Sequence, residues 1–290
     1  MEQKTFLLGL GSSKCGTTWL HDQLKTSSGY ARGIANEYHV FDSITLSYNK
    51  HFNSRKKSQL LSILEKDSLF MTGKGRKEIS NLLRLCSFCE SPIEYFKYFR
   101  DLLILNDIHC AGDITPAYAG LSAKVLSQIK FNFEALGLKV KVCFLMRDPV
   151  DRVWSSARML CKAKYGANKY SSSDANKAVL DLYTTEPQEA KARYEKIIPK
   201  ILSVFPEKDV FFEIYENLFT PSANKRFSDF IGLYDINFKN EKISNKGSGA
   251  HYSLDSGVEE VLLAHYQQTY QYIFKSIQSP GLNKWRQITK

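Results

Sequence analysis

The stretch KTFLLGLGSSKCGTTWLHDQL, beginning at Lys4, restricts the fold more than any other part of the chain. Apolar residues from Phe6 to Leu10 predict a buried strand, Gly11 to Gly16 a tight loop, and Thr17 onward a helix with Trp19, Leu20 and Leu24 on one face. A strand that enters a helix through such a loop leaves the first helical N–H groups without intrahelical partners, and the helix dipole adds positive potential at the same corner. An anion fits there. Gly11 and Gly16 lack the Cβ that would hinder its approach. Their spacing is that of a nucleoside-triphosphatase loop, but Lys14 precedes the second glycine instead of following it, which argues against an ATPase or GTPase. In isolation the turn serves equally well as an anion site or as a structural connection.

The formal net charge of +10 also favours an anionic ligand: a phosphorylated nucleotide, a sulfated polymer, nucleic acid or a membrane surface. With 290 residues, 43% of them hydrophobic and 13% aromatic, the chain can bury a sizeable core. The apolar run FLLGLG is far shorter than the ~20 residues that span a bilayer and has no signal-peptide cleavage pattern, so a soluble, cytoplasmic protein is expected. Cys15, Cys86, Cys89, Cys110, Cys143 and Cys161 are scattered through apparent strands and helices, as reduced residues are. Cys86 and Cys89 form one CxxC without a second pair, which fits small residues on a helix better than zinc.

Strand-like runs at Lys4–Leu10, His109–Gly112, Lys139–Met146 and Asp209–Ile214 alternate with helical stretches, the pattern of an α/β fold around a mainly parallel sheet. Ser91, Pro92 and Glu94 predict a helix start with a capping box. The polar segment from Asn168 to Lys177 reads as a loop or flap, and one long helix is expected from about Asp255 to Ile277. The segment KVKVCFLMRDPVDRVWSSARML repeats the opening logic: a buried strand through Met146, then Arg147, then a helix opened by Asp148 and Pro149. Arg147 at the strand end and Ser155 two turns into the helix can converge on one phosphate; alternatively, Arg147 pairs with a carboxylate and Ser155 only packs.

Together, SSKCGTTWL and FLMRDPVDRVWSS resemble the two nucleotide-binding motifs of sulfotransferases that use 3'-phosphoadenosine 5'-phosphosulfate (PAPS). NEYHVFD (Asn36–Asp42), AGDITPAY (Ala111–Tyr118) and SNKGSGAHYSLD near the C-terminus are similar to segments of the heparan-sulfate-type and bacterial branch. The resemblance implies one domain over 1–290 with a P-loop-kinase-like α/β fold, and a less typical acceptor-side region at about 43–110. By the same resemblance, Lys14, Cys15, Gly16, Thr17, Thr18 and Trp19 hold the 5'-phosphosulfate, Arg147 and Ser155 the 3'-phosphate, and Lys246 and Gly247 close over the nucleotide. Asn36 stands where the family has lysine, and Ser248 where it has arginine, a charge that Arg152 or Lys162 could supply instead.

Transfer of a sulfuryl group to a hydroxyl or amine needs a cation at the departing phosphate oxygen and a base for the acceptor proton. Lys14 is the expected cation. The resemblance puts the base at Glu37, with His39 as the competitor and His109 a weaker rival. Asp113, Thr115 and Tyr118 are expected on the acceptor side, the first two pinning a loop and Tyr118 offering a ring and a hydroxyl. Lys50, Arg55, Lys56, Lys57, Lys74, Arg76 and Lys77 make the less typical region basic, as a sulfated or carboxylated acceptor would require and as any solvated surface allows. The expected acceptor is a carbohydrate or a small metabolite; no metal, nucleic acid or membrane span is expected. The other readings are a nucleotide-kinase-like phosphoryl transferase and a non-enzymatic polyanion-binding protein.

Overall fold

A computed structural model describes residues 3–65, 72–105, 108–240 and 252–287. Five strands, β1 (Thr5–Gly11), β2 (Tyr30–Ala31), β3 (Cys110–Ile114), β4 (Lys139–Met146) and β5 (Val210–Ile214), pair in parallel in the spatial order β2-β3-β1-β4-β5. Register runs from Thr5 opposite Cys110 to Gly9 opposite Ile114 on one side of β1, and from Thr5 opposite Lys139 to Gly9 opposite Cys143 on the other. An irregularity between Gly9 and Gly11 then shifts the pairing. At Gly9 a Cβ would lie 2.8 Å or less from the Ile114 side chain, so only glycine lets β3 come this close.

Alternation along β1 divides the core in two. Phe6, Leu8 and Leu10 pack into the larger cluster, with Tyr95, Phe99 and Phe133 around Phe6. Leu7 faces the smaller one, with Trp19, Leu20 and Leu24 of helix α1 (Thr17–Leu24). The helices that follow are α2 (Phe41–Thr45), α3 (His51–Leu64), α4 (Gly73–Glu90), α5 (Pro92–Leu105), α6 (Ala123–Ala135), α7 (Pro149–Tyr165), α8 (Ser172–Leu182), α9 (Glu186–Ala192), α10 (Tyr194–Leu202), α11 (Tyr215–Leu218), α12 (Pro221–Ile231), α13 (Ser256–His265) and α14 (Gln267–Ser276). From β1 the chain moves outward to β2, returns by β3, and crosses to β4 on the opposite side. The order therefore reverses between β1 and β4, and ligands of open α/β sheets bind beyond the carboxyl ends of the strands at such a point. The loops carrying Lys14 and Arg147 leave from those two ends.

The α/β class, the parallel sheet and four of its strands match the sequence reading, while the two-residue β2 was missed. Three local expectations are corrected. The segment 168–177 is not a loop throughout: α8 starts at Ser172 behind a capping box between Ser171 and Asp174. The long C-terminal helix is two helices, separated at Tyr266. At the start of α5 no capping box closes, since the Ser91 N–H donates to the Ser87 carbonyl (2.8 Å) and the Glu94 carboxylate meets Lys97 (3.1 Å). Cys86 and Cys89 lie on α4, all six thiols are free, and among the described residues no group of three His, Cys, Asp or Glu side chains could hold a metal ion. No helix among them is long and apolar enough to cross a membrane.

Candidate functional site

The loop between β1 and α1 is tied down on both sides. The Ser12 N–H donates to the Leu145 carbonyl of β4 and its Oγ to the Lys191 carbonyl of α9, each at 2.7 Å. Lys14 (φ 68°) and Gly16 (φ 90°) adopt left-handed backbone, which costs glycine nothing and lysine about 1 kcal/mol or more. No side chain caps α1, and the N–H groups of Thr17, Thr18 and Trp19 donate to no described residue. Among the described residues the Lys14 ammonium reaches only the Met159 sulfur, at 3.6 Å. Burial, then the charges of Arg147 and Arg158, lower its pKa from the ordinary lysine value. Cys15 points away, fully buried with its sulfur 4.0 Å from the Tyr194 hydroxyl, and burial pushes its thiol up to about 11. Any ligand contact from Cys15 is through its backbone.

Arg147 follows β4 at the neighbouring strand end. Its guanidinium lies over the Tyr215 ring, 4.5 Å from the centroid, and Nη1 donates to the Lys14 carbonyl at 3.5 Å. Carboxylates stand off at 3.7 Å (Asp151) and 4.0 Å (Glu216), and Nε is buried without a hydrogen-bond partner among the described residues. The ion-paired reading of Arg147 thus holds only loosely. Tyr194 fixes the backbone here, accepting from the Arg147 N–H (3.2 Å) and donating to its carbonyl (2.9 Å).

One cavity of about 570 Å³ joins these corners, lined by Lys14, Gly16, Thr17, Thr18, Trp19, Arg147 and Ser155 together with Glu37, His39, Gln188, Lys191, Tyr215 and Phe219. A second, of about 470 Å³, shares Thr17, Thr18, Glu37, His39 and Phe52 with the first and extends between α1, α3 and α4 past Arg55, Lys56 and Gln59. Glu37 and His39 therefore stand where the two spaces meet.

His39 is clamped. Its ring stacks on Phe52 with centroids 3.6 Å apart, Nδ1 meets the Asp42 carboxylate at 2.7 Å and Nε2 the Glu37 carboxylate at 3.0 Å. Burial opposes the imidazolium, but hydrogen bonds to the two carboxylates outweigh it and push His39 up to about 9. Asp42 is fully buried and also accepts from Asn49 at 3.0 Å. Lys56 turns inward to donate to the Tyr38 and His39 carbonyls (2.7 and 3.0 Å), holding the segment from beneath, and Lys57 pairs with Glu90. Of the basic side chains expected in the less typical region, Arg55 and Lys56 are the two that line the second cavity.

Asp113, Thr115 and Tyr118 are fully buried. The Asp113 carboxylate accepts from the Thr115, Tyr118 and Tyr95 hydroxyls (2.6, 2.9 and 2.9 Å), while Thr115 Oγ1 and Tyr118 Oη receive the Tyr38 and Val40 N–H groups. This trio supports the Glu37–His39 segment from below, and Tyr118 offers neither ring nor hydroxyl to a cavity. Burial raises Asp113 to about 6 against those hydrogen bonds. His109 lies away from both cavities, its Nε2 3.2 Å from the Ile231 carbonyl. Arg152 is fully buried and Lys162 is exposed, and neither lines the cavity. Lys246, Gly247 and Ser248 lie outside the described residues. Sequence reasoning gave no role to Asp42, although it ends the quoted NEYHVFD stretch, and missed Gln188, Lys191, Tyr194 and Tyr215, which belong to no recognisable motif.

The structure is similar to a sulfotransferase from Alicyclobacillus acidocaldarius, with a TM-score of 0.58 and 15% identity over 99% of this chain and 100% of that one. The sulfotransferase domain of the Synechococcus PCC 7002 olefin synthase aligns over 97% of this chain and 90% of its own, with a TM-score of 0.45 and 15% identity. No protein-family model matches the sequence, and no curated protein matches it. The first likeness establishes a shared fold.

Proposed function

We propose that the protein is a sulfotransferase that moves a sulfuryl group from PAPS to a hydroxyl or amine, with a carbohydrate slightly preferred over a small metabolite as acceptor and the heparan-sulfate-type and bacterial branch as its kin. One observation carries the proposal: two cationic corners, at Lys14 and at Arg147, whose carboxylate contacts are no shorter than 3.7 Å among the described residues, open into a single cavity that also contains a carboxylate, Glu37. The donor set fits a doubly phosphorylated nucleotide. Three free α1 amides and the Lys14 ammonium suit the 5' end, and the buried, unpartnered Arg147 Nε with the Ser155 hydroxyl suits the 3'-phosphate. Trp19, Tyr215 and Phe219 supply aromatic wall between them.

PAPS, when bound, supplies a sulfuryl group already attached to a good leaving group. The chain's share is charge and position. Lys14 and the α1 amides neutralise negative charge as the bridging S–O bond breaks and its electron pair passes to the phosphate oxygen, a contribution of about 3 kcal/mol per donor. Glu37 takes the proton as the acceptor oxygen or nitrogen bonds to sulfur. His39 does not, because both of its ring nitrogens are already engaged by carboxylates and its raised pKa keeps it an imidazolium near neutrality. Its role is to hold the Glu37 carboxylate. The second cavity, walled by α3 and α4, is the acceptor's approach.

Thermal unfolding with added nucleotide tests the donor assignment. Adenosine 3',5'-bisphosphate (PAP) should raise Tm well beyond ATP; a larger shift with ATP rejects the assignment. Glu37→Gln should keep the PAP shift and lose about a hundredfold or more in transfer of labelled sulfate, and unchanged turnover would remove Glu37 as the base.

A further inference from the structure

Helix α9 presents Gln188 and Lys191, three residues apart and so on one face, to the larger cavity. Behind them lies Arg152, fully buried and without a carboxylate partner among the described residues. Its Nη2 donates to Gln188 Oε1 at 2.9 Å and lies 3.4 Å from the Gln188 carbonyl, while Nε and Nη1 find no hydrogen-bond acceptor among the described residues. That contact fixes the Gln188 amide. With the oxygen committed to the guanidinium, the NH2 end is turned to the cavity. Lys191 is half-buried and anchored through its carbonyl to Ser12 Oγ, and its ammonium pairs with no described residue. Burial, and after it the charge of Arg152, lower its pKa, and the carboxylates whose charge reaches it are Asp42 and Glu37. Gln188 and Lys191 thus bring an amide and an ammonium to this wall, with a second buried cation behind. Desolvated cations are costly unless an anion joins them.

We propose that Lys191 and Gln188 form an anion subsite for the acceptor, so that the sulfated molecule carries a carboxylate, sulfate or phosphate close to its reacting hydroxyl or amine. This rests on the sulfotransferase reading and adds a substrate class to it. The subsite lies on the Glu37 side of the cavity, since the carboxylates that reach Lys191 are those of the proton-accepting segment. Lys191 and Gln188 touch the acceptor; Arg152 is a positioning residue that sets which end of the amide faces it. A neutral acceptor would cover the half-buried ammonium without pairing it, so the subsite selects against it as well as for an anion.

Isothermal titration of PAP-saturated protein tests the subsite, because PAP occupies the Lys14 and Arg147 corners. The probes are benzoate, phenyl sulfate, phenyl phosphate and benzyl alcohol. At least one anion should bind saturably and at least tenfold more tightly than benzyl alcohol. Lys191→Met should weaken that anion tenfold or more with PAP affinity unchanged, Lys191→Arg should retain it, and Gln188→Leu, which leaves the lysine in place, should weaken it severalfold. The subsite is overturned if no anion binds the wild type, or if binding survives in Lys191→Met. It is also overturned if that variant weakens PAPS relative to PAP, because the ammonium would then serve the transferring sulfuryl group. Failure of PAP itself to bind the wild type is a different result, which rejects the donor reading and this inference with it.

Discussion

At the scale of single residues, the charge state of His39 couples the proposed base to the core. Folded His39 keeps its proton up to about 9, against about 6.5 for a free imidazole, so between these values the folded chain binds more protons than the unfolded one. The resulting stabilisation is complete below about pH 6.5 and is lost as pH rises through about 9, on the order of 3 kcal/mol in all. Urea unfolding at pH 6 and pH 10 should therefore show a clear loss of stability in the wild type and a much smaller one in His39→Gln; equal losses would mean that the ring is not an imidazolium in the folded state. The residues of this cluster were legible to different degrees. Glu37 stands out because NEYHVFD resembles a family segment that carries a catalytic glutamate, with His39 beside it as the competitor and Tyr38, Val40 and Phe41 marking the segment as partly buried. Asp42 closes the triad three residues on, but His39 lies in left-handed backbone (φ 48°) just before α2, so their meeting depends on a local turn that the sequence pattern does not show. Gln188 and Lys191 sit in EPQEAKAR, which reads as an ordinary solvated helix; only the docking of that helix against Ser12 and Arg152 gives them a function.

The elements that form the site meet at Gly16, which ends the first loop and starts α1. A Cβ there would lie 2.6 Å from Leu218 Cδ2 and 3.3 Å from the Tyr215 ring, both on α11, in a backbone conformation of positive φ. Gly16→Ala thus combines backbone strain of about 1–3 kcal/mol with displacement of the helix whose Tyr215 lies beneath Arg147. It should lower Tm by several degrees and weaken PAP binding about tenfold or more. Titration and unfolding of this one variant measure both, and full PAP affinity would show that α11 does not couple the two corners. Most of the sheet was readable because β1, β4 and β5 carry apolar stretches (Phe6–Leu8, Val142–Met146 and Val210–Phe212), as strands covered on both faces do, whereas β3, with Gly112 and Asp113 inside it, was readable only as far as Gly112. Tyr30–Ala31 has no run to read, only two pairings with Cys110 and Ala111 at the sheet edge. The polar composition around α8 concealed a helix because Ser171 and Asp174, taken as loop residues, are the two halves of its cap. The C-terminal apolar pattern continued through Tyr266, where the backbone leaves helical geometry (ψ 12°) without a proline or glycine to signal it.

Across the whole molecule, the C-terminal segment returns to the carboxyl edge of the sheet and governs how free Arg147 is. Asp148, which caps α7, is fully buried and accepts from the Tyr270 hydroxyl (2.8 Å) and the Arg286 N–H (2.9 Å). The Arg286 guanidinium then pairs with Asp148 (3.0 Å), Asp151 (2.8 Å) and Glu259, and the neighbouring Trp285 indole donates to Glu216 at 2.8 Å. Asp151 and Glu216 are the carboxylates that stand 3.7 and 4.0 Å from Arg147. Satisfied from behind by residues 69 (Trp285 to Glu216) and 135 (Arg286 to Asp151) positions away in sequence, they compete weakly for the guanidinium and leave it open to the proposed anion. Arg286→Ala removes that satisfaction from Asp148 and Asp151 while touching no cavity-lining atom. Breaking a buried pair costs about 3–5 kcal/mol, and the partial exposure of Arg286 reduces this to about 1–3 kcal/mol. With Asp151 released towards Arg147, PAP affinity should fall by roughly tenfold, and the additional substitution Asp151→Asn should restore most of the affinity but not the stability. Separate recovery of the two quantities would establish that the C-terminal segment tunes the phosphate corner electrostatically. If Arg286→Ala lowers stability and leaves PAP binding at the wild-type value, the segment only buttresses the fold, and the freedom of Arg147 must come from Tyr215 and Tyr194 alone.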